Sequence, residues 1–171
     1  MTTQRQLKAI NSMLVIHSDA VESGTKYHGM FESNGYYYIV NGSIMFRFSQ
    51  PLYGVNLIQN PNEHDVDKIF DSVIDTASKT KEQPSKNDIA EWCKNIKANN
   101  LRSQYEGRIH IGENGYDPTL LKLIYDIFPA KNDCIMYEGK IQFVNFAVYC
   151  LLISNGDYSA NAILLPLKEQ N

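Results

Sequence analysis

From Arg108 to Lys168 the chain reads as strand, helix, strand, strand, strand, and a looser version of the same order opens it. A helix with one apolar stripe can bury that stripe only against another layer, and here the partner that follows is antiparallel sheet each time. The chain is therefore expected to be α+β, with two related helix-on-sheet units sharing one domain. Its 171 residues suffice for a single sizeable core, since a domain near that length buries roughly 70% of the surface its unfolded chain exposes.

The second unit is the clearer one. Arg108 to Gly112 has the residues of a short strand, and Asp117-Pro118 is a helix cap followed by proline at the first helical position, where its missing N–H costs nothing. Leu120, Leu123, Ile124, Ile127 and Phe128 form a wide apolar face that stops at Pro129. Cys134 to Tyr137, Ile141 to Val144, Ala147 to Ser154 and Ser159 to Leu165 are predicted strands, with turns at Glu138-Gly139 and Asn155-Gly156-Asp157.

In the first unit Leu7, Ile10 and Leu14 predict a helix over Gln4 to His17. A polar turn at Asp19 to Gly24 leads to a strand over Tyr27 to Glu32. Asn34-Gly35 and Asn41-Gly42 tolerate positive φ, so Tyr36 to Val40 and Ile44 to Phe48 continue as hairpin strands. The tyrosine run at 36–38 cannot make one stacking platform, because alternate strand residues point to opposite faces.

Between the units the period changes. Asn62 is expected to cap a helix with Glu63 and Asp65 in its first turn and Val66, Ile69, Phe70 and Val73 as its stripe. Ser85, with Asp88 three residues on, is expected to cap a second helix carrying Ile89, Trp92, Cys93 and Ile96. The divisions are thus 1–58 for the first half-repeat, 60–100 for a two-helix insertion and 105–168 for the second half-repeat.

Several function classes fall away. No apolar run is long enough to cross a membrane, and the start of the chain lacks a signal-peptide pattern, so a cytoplasmic protein is expected. Cys93, Cys134 and Cys150 read as separate reduced thiols. His17, His28, His64 and His110 show no metal or nucleophile spacing, and the pair His64-Asp65 reads as a helix start. Asp71, Asp75 and Glu91 lie on exposed helical faces, and Ser43 and Ser154 lack a nucleophile-elbow pattern. No catalytic residue, metal or cofactor is expected. A net charge of −3 argues against a surface that attracts nucleic acid as a whole.

The order and spacing of these elements resemble the module of DNA sliding clamps of the bacterial beta type. Tyr116-Asp117-Pro118-Thr119-Leu120-Leu121 is similar to the entry to the second helix of a clamp module. Ala162-Ile163-Leu164-Leu165-Pro166-Leu167 resembles the closing strand with its apolar-proline-apolar end, and Val40-Asn41-Gly42-Ser43-Ile44 stands at the Asp-Gly turn of the first hairpin. The resemblance covers most of the chain outside Pro61 to Asn100. Ser43-Ile44 replaces the usual His-Arg, and there is room for one module where a beta clamp subunit has three. In this the chain is similar to small single-module clamp-like proteins of phage and mobile elements.

The resemblance implies a non-catalytic, processivity-factor-like accessory in DNA replication or of a mobile element. Such a module binds protein partners and touches duplex DNA through scattered cations on its inner helices. Arg5, Lys8 and Lys122 are the implied DNA contacts, although Asp117 and Asp126 accompany the last. Val40, Gly42, Ile44, Leu165, Pro166 and Leu167 are the implied partner contacts; read blandly, they are sheet core and turn. The alternative is a pure protein-interaction domain without DNA contact, its interface on the Pro61 to Asn100 helices. Closing a ring would need heterologous edge pairing, and the chain alone is expected to remain a monomer or a weak homo-oligomer.

Overall fold

The computed structural model describes residues 2–15, 29–61, 65–128 and 134–169. The helices are α1 (Gln4–Val15), α2 (Val66–Thr76), α3 (Lys86–Ala98) and α4 (Pro118–Ile127). The strands are β1 (Phe31–Ser33), β2 (Tyr36–Asn41), β3 (Ile44–Phe48), β4 (Ser78–Lys79), β5 (Ile109–Ile111), β6 (Asn114–Tyr116), β7 (Ile135–Gln142), β8 (Ala147–Ser154) and β9 (Ala160–Leu164). Seven strands form one antiparallel sheet in the order β1-β2-β3-β9-β8-β7-β4, and β5-β6 is a separate hairpin. The class is α+β.

The first unit forms as its turn residues require. Asn34 and Gly35 take φ of 50° and 80°, and Gly42 takes 45°, closing the β1-β2 and β2-β3 turns. The halves then join through their last strands, Ile44 opposite Leu164 and Phe48 opposite Ala160. Period-two alternation divides the apolar residues between two cores. Ile39, Phe46, Leu151, Ile153 and Ala162 face one side, with Ile10 of α1, Ile89 of α3 and Leu121 and Ile124 of α4. Tyr38, Val40, Cys150, Leu152 and Ile163 face the other, with Val66, Phe70 and Val73 of α2. Each fully buried large side chain contributes about 1.5–3 kcal/mol.

Helices α1 and α4 lie side by side. Thr3 and Gln6 form a reciprocal cap at the start of α1, Gln6 N donating to Thr3 Oγ1 at 3.2 Å and Thr3 N to Gln6 Oε1 at 2.8 Å. The buried Gln6 also donates through Nε2 to Ile127 O at 2.8 Å, so one side chain serves the end of each helix. The two inserted helices separate: α2 covers one sheet face while α3 packs beside α4, where Cys93 Sγ donates to Pro118 O at 3.4 Å.

Three expectations are corrected. The strand and turn predicted around Glu138-Gly139 are one continuous strand, β7, in which Gly139 pairs with Cys150. A Cβ at Gly139 would stand 2.8 Å from both Val73 Cγ1 and Val73 O, so glycine is there to admit α2 rather than to turn the chain. Helix α2 is capped by Asp65, which accepts from Lys68 N, and its helical residues begin at Val66. The residues before the α4 cap form β6, paired with β5 around Gly112 at φ 61°. The Ser85–Asp88 capping box and the Asp117 cap with Pro118 stand as expected. His17, His28, Asn62, Glu63, His64, Pro129 and the 19–24 turn lie outside the described residues.

Gly139→Ala is expected to destabilise the protein by about 1–3 kcal/mol, because the added methyl meets the α2 backbone and not only a movable side chain. A urea-unfolding midpoint equal to that of the unsubstituted chain would refute this account of the strand.

Candidate functional site

Register places a polar row across the α2 face of the sheet. Tyr38 pairs with Arg47, Arg47 with Asn161, and Asn161 with Ser154. Arg47 sits in an otherwise apolar central strand and is 8% exposed. Its guanidinium carbon lies 4.6 Å from the ring centre of Tyr36 and 4.8 Å from that of Phe70. Its only ion pair among the described residues is with Asp71 Oδ1, at 3.8 Å, and Asp71 is itself largely exposed. Arg47 Nε has no hydrogen-bond partner among the described residues.

The nearby carboxylate of Asp67 is otherwise engaged. It accepts from Ser33 Oγ at 2.6 Å, from Asn34 Nδ2 at 2.8 Å and from the Tyr38 hydroxyl. Burial, the bond to Asp67 and that carboxylate's charge push the Tyr38 hydroxyl upward, against the opposing influence of Arg47. Beyond Arg47, Ser154 Oγ donates to Asn161 Oδ1 at 2.6 Å and Asn161 Nδ2 to Tyr158 O at 3.2 Å. Tyr137 and Tyr158 join hydroxyls at 3.1 Å. These groups, with Tyr36, line a pocket of about 350 Å³ past the end of α2.

The implied partner residues come together only in part. Leu165 N donates to Ser43 O at 3.0 Å, so the β2-β3 turn does meet the C-terminal segment, and Leu167 N donates to Gly115 O at 2.8 Å. Val40 and Leu165 belong to the core under α2, whereas Ile44 is buried in the core on the opposite face. Gly42 is exposed, and Leu165, Pro166 and Leu167 are half-buried.

The implied DNA contacts gather on one acid. Asp126 pairs with Arg5 at 2.6 Å, Lys122 at 2.8 Å and Lys86 at 3.6 Å. Burial works to raise the Asp126 carboxyl, but the Lys122 hydrogen bond and the charges of Lys122, Arg5 and Lys86 outweigh it and hold the group below the usual carboxylate value. Lys8 is exposed and makes no ion pair among the described residues.

Sequence reasoning missed two further features. At the β7-β8 tip, Phe143 and Phe146 stack with ring centres 4.6 Å apart, and Val144 beside them is 99% exposed. The cue was an apolar cluster at a turn. The second feature is the sealing of both sheet edges. On one, the two-residue β4 pairs with Glu138 and Tyr137 of β7, and side chains cover the backbone on either side of it. On β7, Gln83 exchanges bonds with the backbone of Met136, accepting from its N at 2.9 Å and donating to its O at 2.8 Å. Further along, Thr76 Oγ1 accepts from Lys140 N at 2.8 Å, and Ser72 Oγ donates to Lys140 O at 3.3 Å. On the other edge Met30 N donates to Asn56 O and Ile58 N to Met30 O, each at 2.8 Å.

Cys150 is buried and its thiol is pushed up to about 12 by that burial; burial likewise raises the Cys93 thiol. Among the described residues, no group of three or more His, Cys, Asp or Glu side chains could hold a metal, and no helix is long and apolar enough to cross a membrane. Comparison of the chain with protein-family models, curated proteins and solved structures gives no match.

Asp126→Asn is expected to cost about 1–3 kcal/mol of stability by weakening charge-assisted hydrogen bonds. Because folding lowers the Asp126 pKa, this contribution is complete at neutral pH and fades as pH falls below about 4. Unfolding curves of the two proteins should therefore differ at pH 7 and converge in acid; a gap that does not change with pH would contradict the assignment.

Proposed function

We propose that the chain is a non-catalytic, single-module clamp-like accessory of DNA replication or of a mobile element, which works by binding protein partners and touches duplex DNA weakly. The observation that carries this reading is the pair α1 and α4, side by side on one face of a sheet whose halves join at β3 and β9. This is the layout the clamp resemblance implies. The exposed Phe143, Val144 and Phe146 tip supports the protein-binding part, since exposed apolar clusters mark interaction sites. The covered backbone along β7 beside β4, and at Met30 next to β1, supports a module that acts singly, because ring assembly by edge pairing needs free backbone groups.

A pure protein-interaction domain is the second reading, and Asp126 favours it. One carboxylate draws in Arg5, Lys86 and Lys122, which lowers the positive field on the face where duplex DNA would lie. Lys8 remains there as an exposed cation without an ion pair among the described residues.

On the first reading, fluorescence anisotropy detects weak duplex binding that ignores base sequence and falls steeply with salt, and Lys8→Ala lowers the salt slope by about one phosphate contact. No binding at low salt would replace that reading by the second. Sedimentation is expected to give a mass near the 19.5 kDa of one chain; the mass of a closed hexamer would overturn single-module action.

A further inference from the structure

The Arg47 pocket lies on the sheet face opposite α1 and α4, and neither functional reading uses it. A guanidinium this deeply buried is normally matched by a carboxylate in direct hydrogen-bonding contact. Asp71 stands at 3.8 Å and Asp67 accepts from Ser33, Asn34 and Tyr38 instead. The rings of Tyr36 and Phe70 lie against the guanidinium and stabilise the cation, and its hydrogen bonds form only in its own plane, at its edge. Nε is buried and has no hydrogen-bond partner among the described residues, and the Tyr38 hydroxyl is the polar group that interacts with the guanidinium.

We infer that this pocket is a binding site for a small molecule carrying one oxyanion, a phosphate or a carboxylate, on a planar aromatic body. The oxyanion sits at the edge of the Arg47 guanidinium, the geometry in which arginine binds such groups through paired hydrogen bonds. Of the two hydroxyl protons shared by Tyr137 and Tyr158, one is used between them at 3.1 Å, and the other is free to donate to the ligand. Ser154 Oγ already donates to Asn161, which fixes the floor of the pocket. The rings of Tyr36, Tyr137 and Tyr158 form the walls that select a flat body. A volume of about 350 Å³ restricts that body to about one or two rings. The rim is open to solvent, with Tyr36 40% and Tyr158 58% exposed.

The test follows the Arg47 Nε–H signal by ¹⁵N–¹H NMR in the full chain during titration with phenyl phosphate, benzoate and phenol. Saturable shifts with phenyl phosphate or benzoate, and none with phenol, are expected, and the tighter of the two anions tells phosphate from carboxylate. Arg47→Met is expected to abolish the calorimetric binding of that anion. Because Arg47 is buried and its loss can disturb folding, the double variant Tyr137→Phe with Tyr158→Phe, which removes both hydroxyl protons at the rim, is the second, expected to weaken binding about fivefold through one lost hydrogen bond. Shifts with phenol equal to those with the anions, no saturable shift, or unchanged affinity in folded Arg47→Met or in the folded double variant would overturn the inference.

Discussion

The antiparallel pairing of β3 with β9 is the contact on which the rest of the architecture depends. It joins residues near the start of the chain to residues near its end and makes one sheet from two hairpin systems. Because strand side chains alternate, fixing this register fixes which face every neighbour serves: Phe46 beside Ala162 on one side, Arg47 beside Asn161 on the other. A slip of one residue would put Arg47 against α1 and α4 and turn Phe46 toward α2. The two cores, the Asp126 cluster and the Arg47 pocket are therefore consequences of one register.

Once the sheet exists, its edges become the next constraint, since unpaired strand backbone invites pairing with other chains. Here the segment between the two units meets the need with side chains. The Gln83 amide matches the backbone of Met136 as a neighbouring strand would, and Ser72 and Thr76 turn from α2 toward Lys140. Gly139 makes this approach feasible, because any side chain would hold α2 away from β7. The 60–100 stretch is thus part of the sheet's construction: it covers one face, closes one edge and sends α3 to the opposite face. On the proposed reading, this is why the module recognises partners with side chains and not with a free strand edge.

Local features were legible in the sequence. Asn34-Gly35 and Asn41-Gly42 announced their turns, Ser85 with Asp88 and Asp117 with Pro118 announced their helix starts, and Ile124, Ile127 and Phe128 announced part of the face of α4, where Leu121 and Tyr125 are buried and the expected Leu120 and Leu123 only partly so. Thr3 with Gln6 carried the same capping signal at α1 and went unread. What could not be read depended on partners remote in sequence. Gly139 beside Glu138 has the local chemistry of a turn, and only the approach of Val73 makes it a strand residue. Lys122 and Asp126 are helical neighbours, so their pairing was accessible, but the convergence of Arg5 and Lys86 on the same acid required the packing of three helices. Arg47 within Ile44-Met45-Phe46-Arg47-Phe48 was a visible anomaly, yet its meaning depended on how the nearby carboxylates are used, Asp71 at 3.8 Å and Asp67 engaged by Ser33, Asn34 and Tyr38, which only the fold could reveal.

The two faces of the sheet handle charge in opposite ways, and this separates their roles. On the α1 and α4 face, three half-exposed cations share one largely buried carboxylate; each is long enough to swing singly into solvent while the others hold Asp126, so the cluster presents no fixed geometry to an anion. On the α2 face a buried cation lies against two rings and lines a pocket, and the acid that pairs with it among the described residues is too distant for a hydrogen bond. Rigid, desolvated donors discriminate between ligands far better than mobile surface charges, because less freedom is lost on binding and an ill-fitting group leaves the donor unpaired. On the proposed readings, selective recognition of a small anion therefore belongs to Arg47, and contact with a polyanion to the opposite face, whose cations have no fixed geometry.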